Sequence, residues 1–148
     1  MGYGEARVIV MDTNVLSELA KPSPYPSVIV WANTQSREEL YTTAITEAEI
    51  LYGLACMPRG RRYDGLIRSF QTVFSVLLVG RVLSFDRSSA RTYAELAAER
   101  RRQGGLTHGA DVQIAAIARA HKADAIATRN TRHFVGCGVP TVDPWTHD

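Results

Sequence analysis

The sequence predicts an α/β fold in which a central parallel sheet of four to five strands is flanked by helices. Short apolar runs alternate with amphipathic segments along the chain, which is the pattern of strand–helix–strand units. The first run, Val8–Met11, has four consecutive apolar residues, as expected for a strand that is buried on both faces. The chain of 148 residues has no internal repeat or linker, so we expect a single domain over residues 1–148.

Composition narrows the class of protein. The chain is 45% hydrophobic and 22% charged, which is typical of a soluble globular protein. No apolar run approaches the roughly 18 residues of a membrane span, and the start lacks the apolar core of a signal peptide. Cys56 and Cys137 lie far apart in no metal or redox spacing, which fits a reducing cytoplasm. Arginine supplies 15 of the 17 basic residues, a weak indication of a phosphate-bearing partner.

Capping residues and helix breakers set the boundaries of the predicted elements. Ser27 and Asp86 are expected to cap the helices that follow them, and Thr46 with Glu49 matches the Ser/Thr-x-x-Glu capping box. In chain order, the expected elements are strand Val8–Met11, helix Asn14–Ala20, helix Ser27–Thr34, strand Leu40–Thr43, helix Glu47–Met57, amphipathic segment Arg62–Val76, strand Arg81–Phe85, helix Ser88–Gln103, helix His108–Lys122, strand Ala125–Thr128 and, as the fifth strand, Pro140–Val142.

Polar side chains stand at the ends of the predicted strands. Asp12 directly follows the first strand and Asn130 follows the fourth, while Glu49 and Asp111 lie in the first turns of neighbouring helices. Because the carboxyl ends of parallel strands meet at one edge of a sheet, we expect these four residues to converge. Carboxylate and amide oxygens are the ligands of hard divalent cations, which can activate water for attack on a phosphate. Without metal, carboxylates this close should raise at least one pKa.

Each of these residues also has a purely structural interpretation. Asp12 could simply cap the helix that follows it, and Asn130 could cap a turn over residues 131–134. Glu49 fits the capping box, and Asp111 suits the dipole at a helix start. Glu47 and Glu49 point about 200° apart on a helix, so only one of them can face the site. We choose Glu49 because the apolar side of the helix lies nearer to it.

With these residues in this order, the chain resembles the PIN-domain ribonucleases and, among them, the VapC-type and FitB-like toxins of bacterial toxin–antitoxin pairs. The matching segments keep the family's order and cover essentially the whole chain. They are Met11–Glu18, Ala44–Gly53, His108–Ala116 and Ala127–Phe134, followed by Pro144-Trp145. The resemblance implies a three-layer sandwich with the sheet in the middle.

The resemblance also implies a metal site for Mg²⁺ or Mn²⁺. The implied ligands are Asp12, Glu49 and Asp111. Asn14 and Thr128 are similar to the polar residues that hold these acids and the metal-bound waters in place. Position 130 departs from the relatives, which often carry a fourth acid there. Asn130 still offers a carbonyl oxygen but removes one negative charge, which disfavours a tightly held second metal.

Partners follow from the same resemblance: an RNA substrate, a small VapB- or FitA-like antitoxin, and a second copy of the chain that meets the first near residues 45–57. Apolar residues between Val15 and Trp31 could supply the antitoxin groove, and could equally be core. Basic residues that could guide RNA phosphates, although most fit a solvated helix face, are Arg59, Arg61, Arg62, Arg100, Arg101, Arg102, Arg129 and Arg132.

The leading prediction is therefore a metal-dependent endoribonuclease that acts as a toxin, with Asp12, Glu49, Asp111 and Asn130 at its active site. The alternative is a module that binds RNA or an antitoxin without cutting, because Asn130 weakens the site. Phosphatases of the haloacid-dehalogenase type require a second aspartate where this chain has Asn14. Receiver domains require a lysine after a late strand. A dinucleotide enzyme would need a G-x-G-x-x-G after the first strand, which is missing.

Overall fold

The computed structural model describes residues 6–105 and 109–146, and within these ranges it contains five strands and six α-helices. The strands are β1 (Ile9–Met11), β2 (Leu40–Thr43), β3 (Val82–Leu83), β4 (Ala125–Ala127) and β5 (Thr141–Val142). The helices are α1 (Thr13–Leu19), α2 (Pro26–Thr34), α3 (Ala44–Ala55), α4 (Arg61–Thr72), α5 (Arg87–Arg102) and α6 (Gly109–Ala120). A π-helical turn, Val73–Leu77, extends α4, and short 3₁₀ turns lie at Arg37–Glu39 and Thr131–Phe134.

The five strands form one parallel sheet in the order β3-β2-β1-β4-β5, which confirms the predicted α/β class. β1 lies at its centre and pairs Ile9 with Leu40 on one side and with Ala125 on the other. The strand order reverses direction between β1 and β4. In open α/β sheets the crevice at the carboxyl ends of the strands beside such a reversal is the usual binding site.

The central strand β1 is buried on both faces, as its uninterrupted apolar run predicts. Ile9 and Met11 pack into the cluster formed by α1 to α4, where they join residues such as Leu16. Val10 packs into the opposite cluster with Ile114 and the other buried residues of α5 and α6. Each such buried side chain contributes about 1.5–3 kcal/mol relative to exposure. Helices therefore cover both faces of the sheet and make a three-layer sandwich.

The start of α2 differs from the prediction. The helix begins at Pro26 with Tyr25 as its N-cap residue, and Ser27 does not cap it. Proline suits the first helical position because its missing N–H would have no partner there. The Ser27 hydroxyl instead donates to the backbone oxygen of Trp145 (2.8 Å), which ties α2 to the segment after β5.

The predicted capping box at Thr46 and Glu49 is wrong. α3 starts directly at the end of β2, and Thr43 is its N-cap, with its hydroxyl accepting the backbone N–H of Thr46 (3.1 Å). Thr43 still has the extended backbone of the strand, so its side chain is placed to cap one turn earlier than predicted. Glu49 therefore lies in the second turn of α3, and its carboxylate is not used as a cap.

The other predicted elements agree with the structure to within two residues, except that the third strand is shorter. β3 holds only Val82–Leu83, because it is an edge strand that pairs with just two residues of β2. Asp86 caps α5 as predicted, accepting the backbone N–H of Ser89 (2.9 Å). The predicted start of α6 at His108 lies outside the described residues. In the described ranges, no helix is long and apolar enough to cross a membrane.

Candidate active site at the carboxyl end of the sheet

Asp12 is a buried carboxylate at the end of β1, and only 3% of its surface is exposed. Its Oδ1 accepts the backbone N–H of Thr13 (2.8 Å), and its Oδ2 accepts from the hydroxyl of Thr128 (2.8 Å) and the amide of Asn14 (3.3 Å). Asp12 is thus the N-cap of α1, as the structural interpretation expects. The bonds from Thr128 and Asn14 are additional, because a cap needs neither of them.

Asn14 and Thr128 form a framework around Asp12 that joins the turn after β1 to the turn after β4. The Asn14 amide also lies 3.4 Å from the Thr128 hydroxyl, and Asn14 Oδ1 accepts the backbone N–H of Arg129 (3.1 Å). The Thr128 hydroxyl accepts the backbone N–H of Asn130 (3.0 Å). The structure therefore places Asn14 and Thr128 against Asp12, where the resemblance puts them.

Glu49 reaches the site from α3, and the Thr13 hydroxyl donates to its Oε1 (2.6 Å). The same hydroxyl lies 3.3 Å from that of Thr46, which is fully buried in α3. Thr13 therefore links the residue after Asp12 to the exposed Glu49 carboxylate. Glu49 rather than Glu47 is the α3 carboxylate bonded beside Asp12, in agreement with the predicted choice. The sequence analysis did not single out Thr13. Its position directly after Asp12 is the one signal that could have indicated its bond to Glu49.

Asp111 stands in the first turn of α6 and pairs with His133, a residue that the sequence analysis did not single out. His133 Nδ1 lies 2.7 Å from Asp111 Oδ2, and the backbone oxygen of His133 accepts from Arg100 Nη2 (2.6 Å). The 3₁₀ turn Thr131–Phe134 brings His133 to α6. Nothing in the local pattern marks His133, since its partner lies 22 residues away in the chain.

The pKa of Asp12 is raised from its ordinary value of 3.8, and burial is the largest cause. The hydrogen bonds from Thr128 and Thr13 lower the pKa, and the negative charges of Asp111 and Glu49 raise it. The expectation that one acid would have a raised pKa is therefore confirmed, but desolvation contributes more than repulsion. Asp111 and Glu49 therefore both lie near enough for their charges to act on Asp12.

Asn130 faces the solvent, and its role differs from the predicted cap. Its side chain makes no capping hydrogen bond to the turn that follows, whose N–H at His133 is accepted by the Asn130 backbone oxygen (3.0 Å). The backbone of Asn130, rather than its amide, contacts the framework through Thr128. The amide is thus free to turn toward a ligand held near Thr128.

The donor set fits a hydrated divalent cation. Among the described residues, no three His, Cys, Asp or Glu side chains are close enough to hold one ion together. Mg²⁺ usually keeps several waters and takes only one or two carboxylates directly, so a compact trio is not required. Three of the roughly four lone-pair positions on Asp12 accept hydrogen bonds, which leaves one for a cation. A cation there would also stabilise the charged form of Asp12, which burial and the neighbouring negative charges disfavour.

With this geometry established, comparison with known proteins identifies the family. The pattern of the PIN domain matches residues 9–135. The chain belongs to the PIN-domain family. It is 42% identical to the VapC ribonuclease Y4jK of Sinorhizobium fredii over 138 residues, 93% of this chain and 98% of the relative. It is 35% identical to toxin FitB of Neisseria gonorrhoeae over 141 residues, 95% of this chain and 100% of the relative.

Solved structures agree. The chain matches a structure of FitAB bound to an IR36 DNA fragment with a TM-score of 0.85 and 34% identity, covering 93% of this chain and 96% of that one. The resemblance drawn from the four segments is thus confirmed at the level of family and fold. The five-stranded parallel sheet with helices on both faces is the PIN architecture.

This PIN domain carries a groove of about 1260 Å³ that starts at the acid site. Thr13 and Glu49 line one part of it. Apolar residues such as Leu54 and Leu66 line the rest together with basic side chains, namely Lys21, Arg61, Arg62 and Arg68. The segment Val15–Trp31 divides between the two interpretations. Val15, Leu16, Val28 and Trp31 are buried core, whereas Ile29 and Val30 expose 36% and 54% of their surfaces.

Proposed function

We propose that this PIN domain is a metal-dependent endoribonuclease and the toxin of a type II toxin–antitoxin pair. The observation that supports this proposal most strongly is the buried Asp12 carboxylate. Thr128, Asn14 and Thr13 hold it at the carboxyl end of β1, where the strand order reverses between β1 and β4. The relatives named VapC ribonuclease and toxin FitB support the reaction and the biological role. The proposal places the protein in the cytoplasm, where RNA is available as substrate.

The residues that would hold the cation are Asp12, Glu49 and Asp111. A bound divalent cation supplies a water of lowered pKa and neutralises the charge that builds on the scissile phosphate. The chain's own task is to keep the carboxylates ionised and oriented. Thr128 and Thr13 favour the charged form of Asp12 against burial, and Thr13 fixes the direction of Glu49. Asn14 ties the turns after β1 and β4 together, so that Asp12 cannot swing away.

RNA cleavage in the presence and absence of metal tests this proposal. We expect the purified protein, freed of any antitoxin, to cut a single-stranded RNA with Mg²⁺ or Mn²⁺ and not in EDTA. Asp12→Asn and Asp111→Asn should lose most of this activity, whereas Glu95→Gln, an exposed acid on α5, should keep it. Calorimetric titration of Mn²⁺ gives a second readout, because binding by the parent should vanish in Asp12→Asn. Full cleavage by Asp12→Asn in EDTA would refute the metal site.

A second candidate function is a module that binds RNA or an antitoxin without cutting. Asn130 supports it, since an amide replaces the fourth acid that relatives often carry, and the described residues form no compact group of metal ligands. Under this hypothesis the parent is inactive with Mn²⁺, and Asn130→Asp creates cleavage. If the parent cuts RNA and Asn130→Asp changes only the number of Mn²⁺ ions bound, the first proposal holds.

The proposal includes two protein partners. A matching structure is described as a member of the VapBC family of toxin-antitoxin systems, which supports an antitoxin partner, and the apolar residues in the groove between α1, α3 and α4 suit the apolar face of an antitoxin helix. A homodimer is supported by Leu51 and Tyr52 on α3, which expose 55% and 73% of their surfaces within the segment implied by the resemblance. Together these partners would form a toxin–antitoxin hetero-oligomer.

A further inference from the structure

Arg129 lies in the turn after β4, between Thr128 and Asn130. Its backbone N–H donates to Asn14 Oδ1 (3.1 Å), and Asn14 in turn contacts Asp12 and Thr128. The backbone of Arg129 is therefore fixed by the same framework that holds the Asp12 carboxylate. Any group bound by the Arg129 side chain is held at a defined place relative to the acids.

The Arg129 guanidinium lies over the ring of Trp145, with its central carbon 4.9 Å from the ring centroid. Trp145 is anchored at both backbone groups: its N–H donates to Asp143 Oδ1 (2.8 Å) and its oxygen accepts from the Ser27 hydroxyl (2.8 Å). An anchored ring restricts the flexible arginine side chain before any ligand arrives. Contact with the ring occupies one side of the guanidinium and leaves N–H groups for a ligand.

The exposed Arg129 guanidinium forms no hydrogen bond or ion pair with residues 6–105 or 109–146. The charge of Arg129 contributes to the lowered pKa of Glu18, although the hydrogen bond from Lys21 is the larger cause. The Glu18 oxygens are already engaged by Lys21 Nζ and by the backbone N–H of Tyr25, each at 3.0 Å. The N–H groups of the Arg129 guanidinium are therefore available to a ligand.

Arg81 and Arg100 serve structural roles that differ from that of Arg129. Arg81 Nε donates to the backbone oxygen of Leu40 (3.0 Å), and Arg100 Nη2 donates to that of His133 (2.6 Å). Both satisfy carbonyl groups at the ends of elements. A guanidinium with free N–H groups, on a backbone bonded to the framework around Asp12, has a different use, because it can attract a phosphate that the acids alone would repel.

We propose that Arg129 is a substrate-binding residue that donates to a phosphate oxygen of RNA adjacent to the cleaved bond, and that Trp145 positions it. The ligand assigned here rests on the proposed ribonuclease function. Arginine suits this task because its planar fork can donate two N–H bonds to one phosphate. Lysine at the same position would keep the charge but lose both the stacking on Trp145 and the fork.

Binding of a short, unstructured, fluorescein-labelled RNA tests the proposal. Fluorescence anisotropy in EDTA, measured over a series of salt concentrations, reports affinity without cleavage. We expect Arg129→Gln to weaken binding a few-fold to about tenfold and to reduce the slope of log K against log salt by about 0.7, the value for one phosphate contact on a single strand. Trp145→Ala should lower affinity in the same direction, and Trp145→Phe should keep most of it.

Arg37→Gln is the matched control, since Arg37 is also an exposed arginine but lies in the 3₁₀ turn before β2, at the opposite end of that strand from Thr43. It should bind RNA like the parent. An unchanged affinity in Arg129→Gln would overturn the proposal, as would a loss that leaves the salt slope intact, since that would indicate a base contact. A variant that melts earlier but binds RNA normally would assign Arg129 to structure alone.

The assay separates this inference from the proposed function. If the parent fails to cleave RNA with Mn²⁺ while Arg129→Gln still lowers affinity and salt slope, the phosphate contact stands and the nuclease proposal fails. If the parent cleaves and Arg129→Gln matches it in affinity and in KM, the nuclease proposal stands and the role of Arg129 is wrong.

Discussion

Thr128→Val removes the hydroxyl that connects the framework around Asp12. Thr128 is fully buried, and its hydroxyl donates to Asp12 Oδ2 at 2.8 Å. Valine keeps the shape of the side chain, so the main loss is that hydrogen bond. Asp12 Oδ2 is then left with the longer contact from Asn14, at 3.3 Å. The backbone N–H of Asn130, which also bonds the hydroxyl, is close enough to the surface to be solvated.

A hydrogen bond to a charged group contributes about 1.5–3 kcal/mol, so Thr128→Val should lower the free energy of unfolding by about that much at neutral pH. For a chain of this length, that corresponds to a fall in melting temperature of roughly 3–12 °C. The bond favours ionised Asp12, and without it the Asp12 pKa should rise still further above 3.8. An acid whose folded pKa is raised makes stability fall as pH rises through the window above 3.8. The gap between parent and variant should therefore widen with pH.

Urea unfolding of metal-free protein at a series of pH values measures this gap. We expect the loss to be about 0.5–1.5 kcal/mol at the acid end of the series, where more of the Asp12 carboxyl is neutral, and to reach its full value near pH 8. Thr42→Val is the matched control, because Thr42 is equally buried and its hydroxyl donates to a neutral acceptor, the backbone oxygen of Met11 (2.9 Å). Its loss should not depend on pH.

Two results would refute this reasoning. A loss from Thr128→Val that is the same at low and high pH would mean that the hydroxyl does not act on the charge of Asp12. A loss below about 0.5 kcal/mol at pH 8 would mean that Asn14 or water replaces the bond without cost. In either case Thr128 would be a packing residue, and its assignment to the active-site framework would fail.

Two further predictions concern the protein partners. Gly53 lines the groove on α3, and a Cβ added there meets nothing within 4 Å. Gly53→Tyr should therefore fill the groove and prevent co-purification of the antitoxin, while Gly53→Ala should keep it. A complex that survives Gly53→Tyr would place the antitoxin elsewhere. For the homodimer, sedimentation equilibrium should show Tyr52→Asp shifted toward monomer and Tyr25→Asp, at another exposed tyrosine, unchanged. A monomeric parent would contradict the dimer.

The sequence was sufficient to place Asp12, Asn14 and Thr128 at one edge of the sheet, because their placement follows from strand order and direction. Asp12 ends a strand whose three residues are all buried, and parallel pairing with β4 brings Thr128 beside it. Asn14 and Thr128 are 114 residues apart, yet both positions follow from the same rule about carboxyl ends of strands. Backbone topology therefore carries much of the information about the site.

Sequence reasoning failed where two local signals compete or where a partner is distant. Thr43 and Thr46 are both good caps, and only the exact end of β2 decides that Thr43 is used. That choice moves α3 by one turn and frees Glu49 to accept from Thr13. The pairing of His133 with Asp111 depends on how the 3₁₀ turn after Asn130 folds against α6, which no periodicity encodes. Ser27 was assigned to a helix start, although its bond to Trp145 is a tertiary contact.

The electrostatics of the acid site account for the number of hydrogen bonds that Asp12 accepts. Burying the Asp12 carboxylate disfavours its charged form, and Glu49 and Asp111 add repulsion, so the metal-free fold is destabilised as Asp12 ionises above pH 3.8. The donors on Thr128, Thr13 and Asn14 offset part of that loss without neutralising the charge, which stays available to a cation. Aspartate at position 130 would add a fourth negative charge beside Thr128 and increase the repulsion. Under the proposed function, asparagine there lowers the demand for a second cation, so this set of side chains favours a site that works with one metal ion.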